Sequence, residues 1–255
     1  MNSTEVTTPN AVQTTEHRRS LHWAGAIFAL VFPSIATWVY FVFAAQFSVG
    51  VQQTTYLLVK IIQFAFPAVW VWLVLRERPK YRRPDARGLA LGAAFSIVVV
   101  GAGWSVFAML LRETTLFSAA APKINEKILQ FGIDSTWKYA ILGVFYSLFH
   151  SLIEEYYWRW FVFRQLRAVV SLWPAIFVSA IGFMAHHVIV LSEFFKDAPW
   201  LAGLLASAVA VGGAFWAWLY ERTGSLYSAW LSHLLIDGGI FWVGHELVRD
   251  ILAGV

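Results

Sequence analysis

The sequence predicts an all-α, polytopic membrane helix bundle of about seven transmembrane helices, eight at most, with a cytoplasmic N-terminus. Composition carries the first part of that prediction. Of the 255 residues, 59% are hydrophobic and 13% are charged, against roughly 25% charged in a soluble domain. Mean hydropathy is +0.61. Apolar stretches of the length needed to cross a bilayer, about 20 residues, recur along the chain, and basic residues gather in alternate connections. Fourteen Trp and nine Tyr suit interfacial belts as well as core packing. The absence of Cys excludes disulfides, thiolate-bound metals and thiol catalysis.

Residues 1–20 are polar and Thr-rich and read as a disordered tail. The apolar run after Arg18 and Arg19 is too long for the core of a cleavable signal and reads as a permanent span. The candidate spans are 21–47, 53–75, 88–111, 138–163, 172–192, 199–220 and 225–247. Pro33 and Pro67 fall inside the first two, where membrane helices tolerate kinks. Lys60 and Gln63 read as side chains that snorkel to the interface. The chain divides into the tail, an N-terminal part at 21–137 with three spans, and a C-terminal bundle at 138–250. The longest loop, 113–137, contains "INEKILQFGI", a candidate interfacial helix. There is no internal repeat of the kind that marks many transporters.

Orientation follows from Lys and Arg. Arg18 and Arg19 precede the first span. Arg76, Arg78, Lys80, Arg82, Arg83 and Arg87 lie between the second and third, Arg164 and Arg167 follow the fourth, and Arg222 follows the sixth. Positive charge stays inside, so the N-terminus is expected in the cytoplasm and the C-terminus outside.

Ionisable residues interrupt three spans. The fourth contains "HSLIEEYYWRW". Each charge at mid-membrane costs roughly 2.5 to 3.5 kcal/mol on insertion scales, so such residues are functional candidates by default. Glu155 and Arg159 are four apart and can pair on one helix face. Glu154 is offset by about 100° and has no cation on its own face, where His150 and Ser147 lie. The fifth span supplies "FMAHH", with Phe183 and His187 on one face and His186 offset; the seventh supplies "HLLID", with His233 and Asp237 four apart. Glu154, His187, His233 and Asp237 are expected to converge on one pocket open to the cytoplasm. His22, His150, His186 and His245 are expected as hydrogen-bonded packing residues.

Such a set suits peptide hydrolysis, which needs an activated water, a base and donors for the developing oxyanion. A desolvated carboxylate is a stronger base than one in water, and histidines shuttle protons. A proton-coupled carrier would use similar residues, and a non-catalytic membrane scaffold could retain the same pocket. The missing repeat and the uncharged third and sixth spans weigh against the carrier.

"EEYYWR", "FMAHH" and "HLLID" match EExxxR, FxxxH and HxxxN/D, in that order. Together they resemble the CPBP intramembrane proteases, which include CAAX prenyl endopeptidases and bacteriocin-processing or Abi-like proteins. The resemblance covers about 138–245. It implies that Glu154 activates the hydrolytic water, that His187 helps to hold it, and that His233 and Asp237 contact the scissile carbonyl. Glu155, Arg159 and Phe183 are implied as supporting residues. Asp237 departs from the Asn of CAAX-processing members, and an ionised Asp cannot donate to an oxyanion. A bacterium has no obvious prenylated substrate, so a leader peptide or another membrane protein is a better candidate substrate than a CAAX tail. No metal is favoured. The alternative is Zn²⁺ or another divalent ion on Glu154, His187 and His233, with an open water position. The expected partners are a peptide or membrane-protein substrate and the lipid bilayer, without nucleic acid, in a bacterial plasma membrane.

Overall fold

The computed structural model describes residues 9–79, 82–115 and 121–252. Lys80 of the basic connection and the first eight residues of the expected tail lie outside them. Among the described residues there is no strand. The long helices are α1 (Gln13–Gln46), α2 (Val49–Val74), α3 (Ala86–Leu111), α5 (136–167), α6 (Leu172–Phe194), α7 (Pro199–Thr223) and α8 (Leu226–Leu252), with a short α4 (Ala121–Gln130) between α3 and α5.

The sequence explains most boundaries. Asp85 caps α3, its carboxylate accepting from the backbone N–H groups of Arg87 and Gly88 at 3.3 and 2.9 Å. Pro199 opens α7, where its missing N–H costs nothing. Gly224 ends it in the left-handed conformation at φ 65°. The helical chain begins at Pro9, so residues 9–20, expected as unstructured, continue α1 outward. A short helix forms at Ala121–Gln130, a few residues earlier than the quoted stretch.

Five helices, α1, α2, α3, α6 and α7, are long and apolar enough to cross a membrane. The other two expected spans, α5 and α8, are long helices whose polar residues carry them past that criterion. Apolar side chains cover the outside of the bundle: Ile97, Leu73 and Met109 are 71%, 69% and 80% exposed. A water-facing surface of this kind would be an aggregation liability, whereas lipid tails solvate it. The fold is a helical integral membrane bundle.

The core lies around the middle of α5. Tyr157, Trp158, Phe161 and Phe163 are buried against α1, α2, α6 and α7. α6 and α7 form a hairpin, and α8 packs along α3. One close approach needs glycine: a Cβ on Gly92 of α3 would meet the Ser228 carbonyl of α8 at 2.6 Å, whereas one on Gly213 of α7 would press on the Phe183 ring at 3.1 Å, which would have to give by a few tenths of an ångström. At the basic end, Glu77 beyond α2 accepts from Arg18 of α1 and Arg164 of α5, and Glu221 of α7 pairs with Arg167 at 2.9 Å. These clasps join the helix ends on the basic side.

Candidate active site

α5 is not a uniform α-helix. Tyr146–His150 and Tyr156–Phe163 are π-helical, with one α-helical turn, Ser151–Glu155, between them. π segments widen the helix and are frequent at functional sites. Both glutamates sit in the turn between the two, and both are buried.

The two carboxylates have different surroundings. Glu155 is engaged through one oxygen: Arg159 Nη1 forms an ion pair with Oε1 at 3.0 Å, and His233 Nδ1 donates to the same oxygen at 2.8 Å, while Oε2 is buried without a hydrogen-bond partner. The sequence places Arg159 there but gives no hint of His233. Its bond to Glu155 assigns the proton to Nδ1 and turns Nε2 toward Glu154 Oε2 at 3.7 Å and Asp237 Oδ1 at 3.6 Å. Glu154 is ringed by imidazoles. His150 Nδ1 is 3.9 Å from Oε2 and His186 Nε2 is 3.8 Å from Oε1. With the His233 contact, each of these is longer than a hydrogen bond.

Phe183 fills the space between these groups, nearly without exposure. The Arg159 guanidinium lies over its ring at 4.8 Å, and the His233 ring is 6.0 Å away, edge to face. The Phe183 carbonyl accepts from His187 Nδ1 at 2.8 Å, which leaves His187 Nε2 free for other contacts. One ligand atom each from Glu154, His186 and His187 lie within 4.8 Å of one another.

Every residue expected at the site is therefore in one cluster, but three expectations change. His150 and His186, read as packing, face Glu154. Ligand atoms of Glu154, His186 and His187 gather closely enough for a divalent ion, which adds His186 to the expected donors Glu154, His187 and His233; the His233 Nε2 also faces Glu154, at 3.7 Å. Lys60 does not snorkel away. It lies 15 residues from Leu75 and Glu154 lies 13 from Arg167, so both sit about 20 Å from the basic end by the helical rise. Lys60 donates to Gln63 at 3.2 Å, packs by the Tyr56 and Phe64 rings, and is within electrostatic range of Glu154 and His150. Gln63 itself is buried. His22 matches its expected role, bonding Gln165 at 2.6 Å.

Fold and site together define a membrane helix bundle that buries a carboxylate–histidine cluster at its centre. Residues 136–239 match the family model of the Rce1-like type II CAAX prenyl endopeptidases, consistent with the resemblance of the three motifs to the CPBP proteases. The match spans α5, α6, α7 and the first half of α8. It contains all the candidate residues except Lys60, and α1–α3 lie outside it. No curated protein and no solved structure matches the chain. The family match and the membrane helices support a membrane endopeptidase.

Proposed function

We propose that the protein hydrolyses a peptide bond in a membrane-associated protein or peptide, with water activated by Glu154. The observation that carries this reading is the contrast between the carboxylates: Glu155 is ion-paired with Arg159 and hydrogen-bonded by His233, while Glu154 lies among ring nitrogens at 3.7–3.9 Å. A base held in position but not consumed by an ion pair suits proton abstraction. Glu154 takes the proton of the attacking water, and His186 and His187 orient that water. His233 meets the scissile carbonyl as the imidazolium, with Nδ1–H on Glu155 and Nε2–H on the carbonyl oxygen, and Asp237 stands behind it. The proton on Glu154 then passes to the leaving amine.

The metal-free form is favoured. Ligating histidines almost always give their second ring nitrogen a partner. His187 does so through the Phe183 carbonyl, but His186 Nδ1 is buried with no partner. The donor set of two imidazoles and one carboxylate still suits Zn²⁺ chemically, which when bound would supply Lewis acidity at the same place. Orientation by the basic residues would open the pocket toward the cytoplasm of a bacterial plasma membrane.

The test is cleavage of a peptide library by purified protein in lipid nanodiscs, wild type beside Glu154→Gln, with and without a strong chelator. Cleavage that survives the chelator and disappears in the variant supports the glutamate mechanism. Loss in both arms moves the assignment to a metal site. A well-folded wild type that cuts nothing removes the protease reading.

A further inference from the structure

Trp216 lies in "GGAFWAW" on α7, outside all three motifs, and reads as one more apolar residue of a span. Its surroundings are not those of lipid. The indole stacks on the His233 ring with centroids 4.1 Å apart and planes 17° from parallel. The Arg159 guanidinium lies over the same indole at 4.9 Å. Arg159 pairs with Glu155, and Glu155 holds His233 Nδ1. The four residues form a closed loop of contacts: His233, Trp216, Arg159, Glu155, and back to His233.

The indole is in turn fixed by a hydrogen-bond chain with a consistent direction. Trp216 Nε1–H donates to Ser232 Oγ at 2.9 Å. The Ser232 hydroxyl and the Ser96 hydroxyl are 2.9 Å apart. Ser96 Oγ is also 2.9 Å from the carbonyls of Gly92 and Ser232, where its proton can go. All three side chains are buried. Ser96 belongs to α3, outside the family match, and the α3–α8 approach at Gly92 brings it there.

We infer that Trp216 is a positioning residue for the reaction, setting the ring plane of His233, and that Ser232 and Ser96 hold Trp216 in that role. The inference rests on the hydrolytic reading above. The physical need is simple. The bond to Glu155 fixes one atom of the imidazole but leaves the ring free to rock about that contact. A flat partner against its face removes the rocking and keeps Nε2 aimed between Glu154 and Asp237. Displacements of about 1 Å at a reacting group cost on the order of 10²-fold in rate.

The experiment compares Trp216→Leu, Trp216→Phe, Ser96→Ala and the Ser96→Ala/Trp216→Phe double variant, with lipid-facing Trp200→Leu as control. Trp216→Leu lowers kcat about 10²-fold with KM little changed. Trp216→Phe keeps a ring and recovers about tenfold of that loss. Ser96→Ala costs several-fold alone and nothing further in the Trp216→Phe background, because both break one chain. A second readout does not need cleavage. The ring-nitrogen NMR signals of His233, assigned with His233→Gln, are sharp, with a proton fixed on Nδ1, in the wild type and are broadened and averaged in Trp216→Leu. A Trp216→Leu protein with wild-type kcat overturns the proposal. So does a kcat loss that only tracks a fall in Tm while the His233 signals stay unchanged. If the wild type cuts no peptide, the hydrolytic reading fails on its own, and the NMR comparison still decides whether Trp216 orders His233.

Discussion

α3 and α5 are neighbours of α8 with opposite surfaces. α3 exposes Ile97 and Val98 to lipid and meets α8 through glycine and serine. α5 buries Glu154, Glu155 and Arg159 in the centre of the bundle. A lipid-facing helix is held by hydropathy and tolerates exchange of one apolar side chain for another. A helix that carries charge through the membrane needs specific partners, and here they come from α2, α6, α7 and α8. Chemistry in this molecule is concentrated where hydropathy is violated.

That contrast can be broken most sharply at Glu154. Glu154→Gln removes the proposed base while changing its shape little, and cleavage should fall about 10³-fold in a steady-state assay. Arg159→Leu attacks the structural side of the same helix. It leaves the Glu155 carboxylate buried with one partner, and unfolding in detergent should show a loss of about 3–5 kcal/mol. Lys60→Met tests whether the motif-free half takes part. Removing a cation within electrostatic range of Glu154 should lower kcat/KM about tenfold, with Lys60→Arg recovering part of it. Ile97→Leu on the lipid face of α3 should stay within about 0.5 kcal/mol of wild type in the same unfolding measurement and leave cleavage unchanged.

The lipid-facing half was the easier half to read. Runs of apolar residues located α1, α2, α3, α6 and α7, because burial in lipid depends on composition rather than on partners. Apolar runs also locate α5 and α8, as 138–163 and 225–247; the motifs mark the polar residues inside them, and a four-residue spacing on one helix gives the Glu155–Arg159 pair. What spacing does not encode is which side chain of another helix faces a given residue. Glu155 was read as Arg159's partner alone, yet it also holds His233. His150 and His186 looked like packing because a solitary histidine has no pattern. The π segments on both sides of the glutamates shift the angular register of α5, so a regular helical wheel misplaces the residues around them. Lys60 reads as an interfacial lysine because it lies only seven residues into the expected span 53–75; α2 begins at Val49, which sets Lys60 deeper, where buried Gln63 accepts from it. Trp216 carried no signal, since the serines that hold it come from α3 and α8.

The central claim is a division of labour between adjacent carboxylates, with Glu154 reacting and Glu155 supporting. The direct measurement sets Glu154→Gln beside Glu155→Gln, recording peptide cleavage and thermal unfolding on the same nanodisc preparations. The account predicts that Glu154→Gln unfolds at the wild-type temperature and does not cleave, whereas Glu155→Gln loses Tm and activity together. A Glu154→Gln protein that cleaves at the wild-type rate would contradict it, whatever Glu155→Gln does.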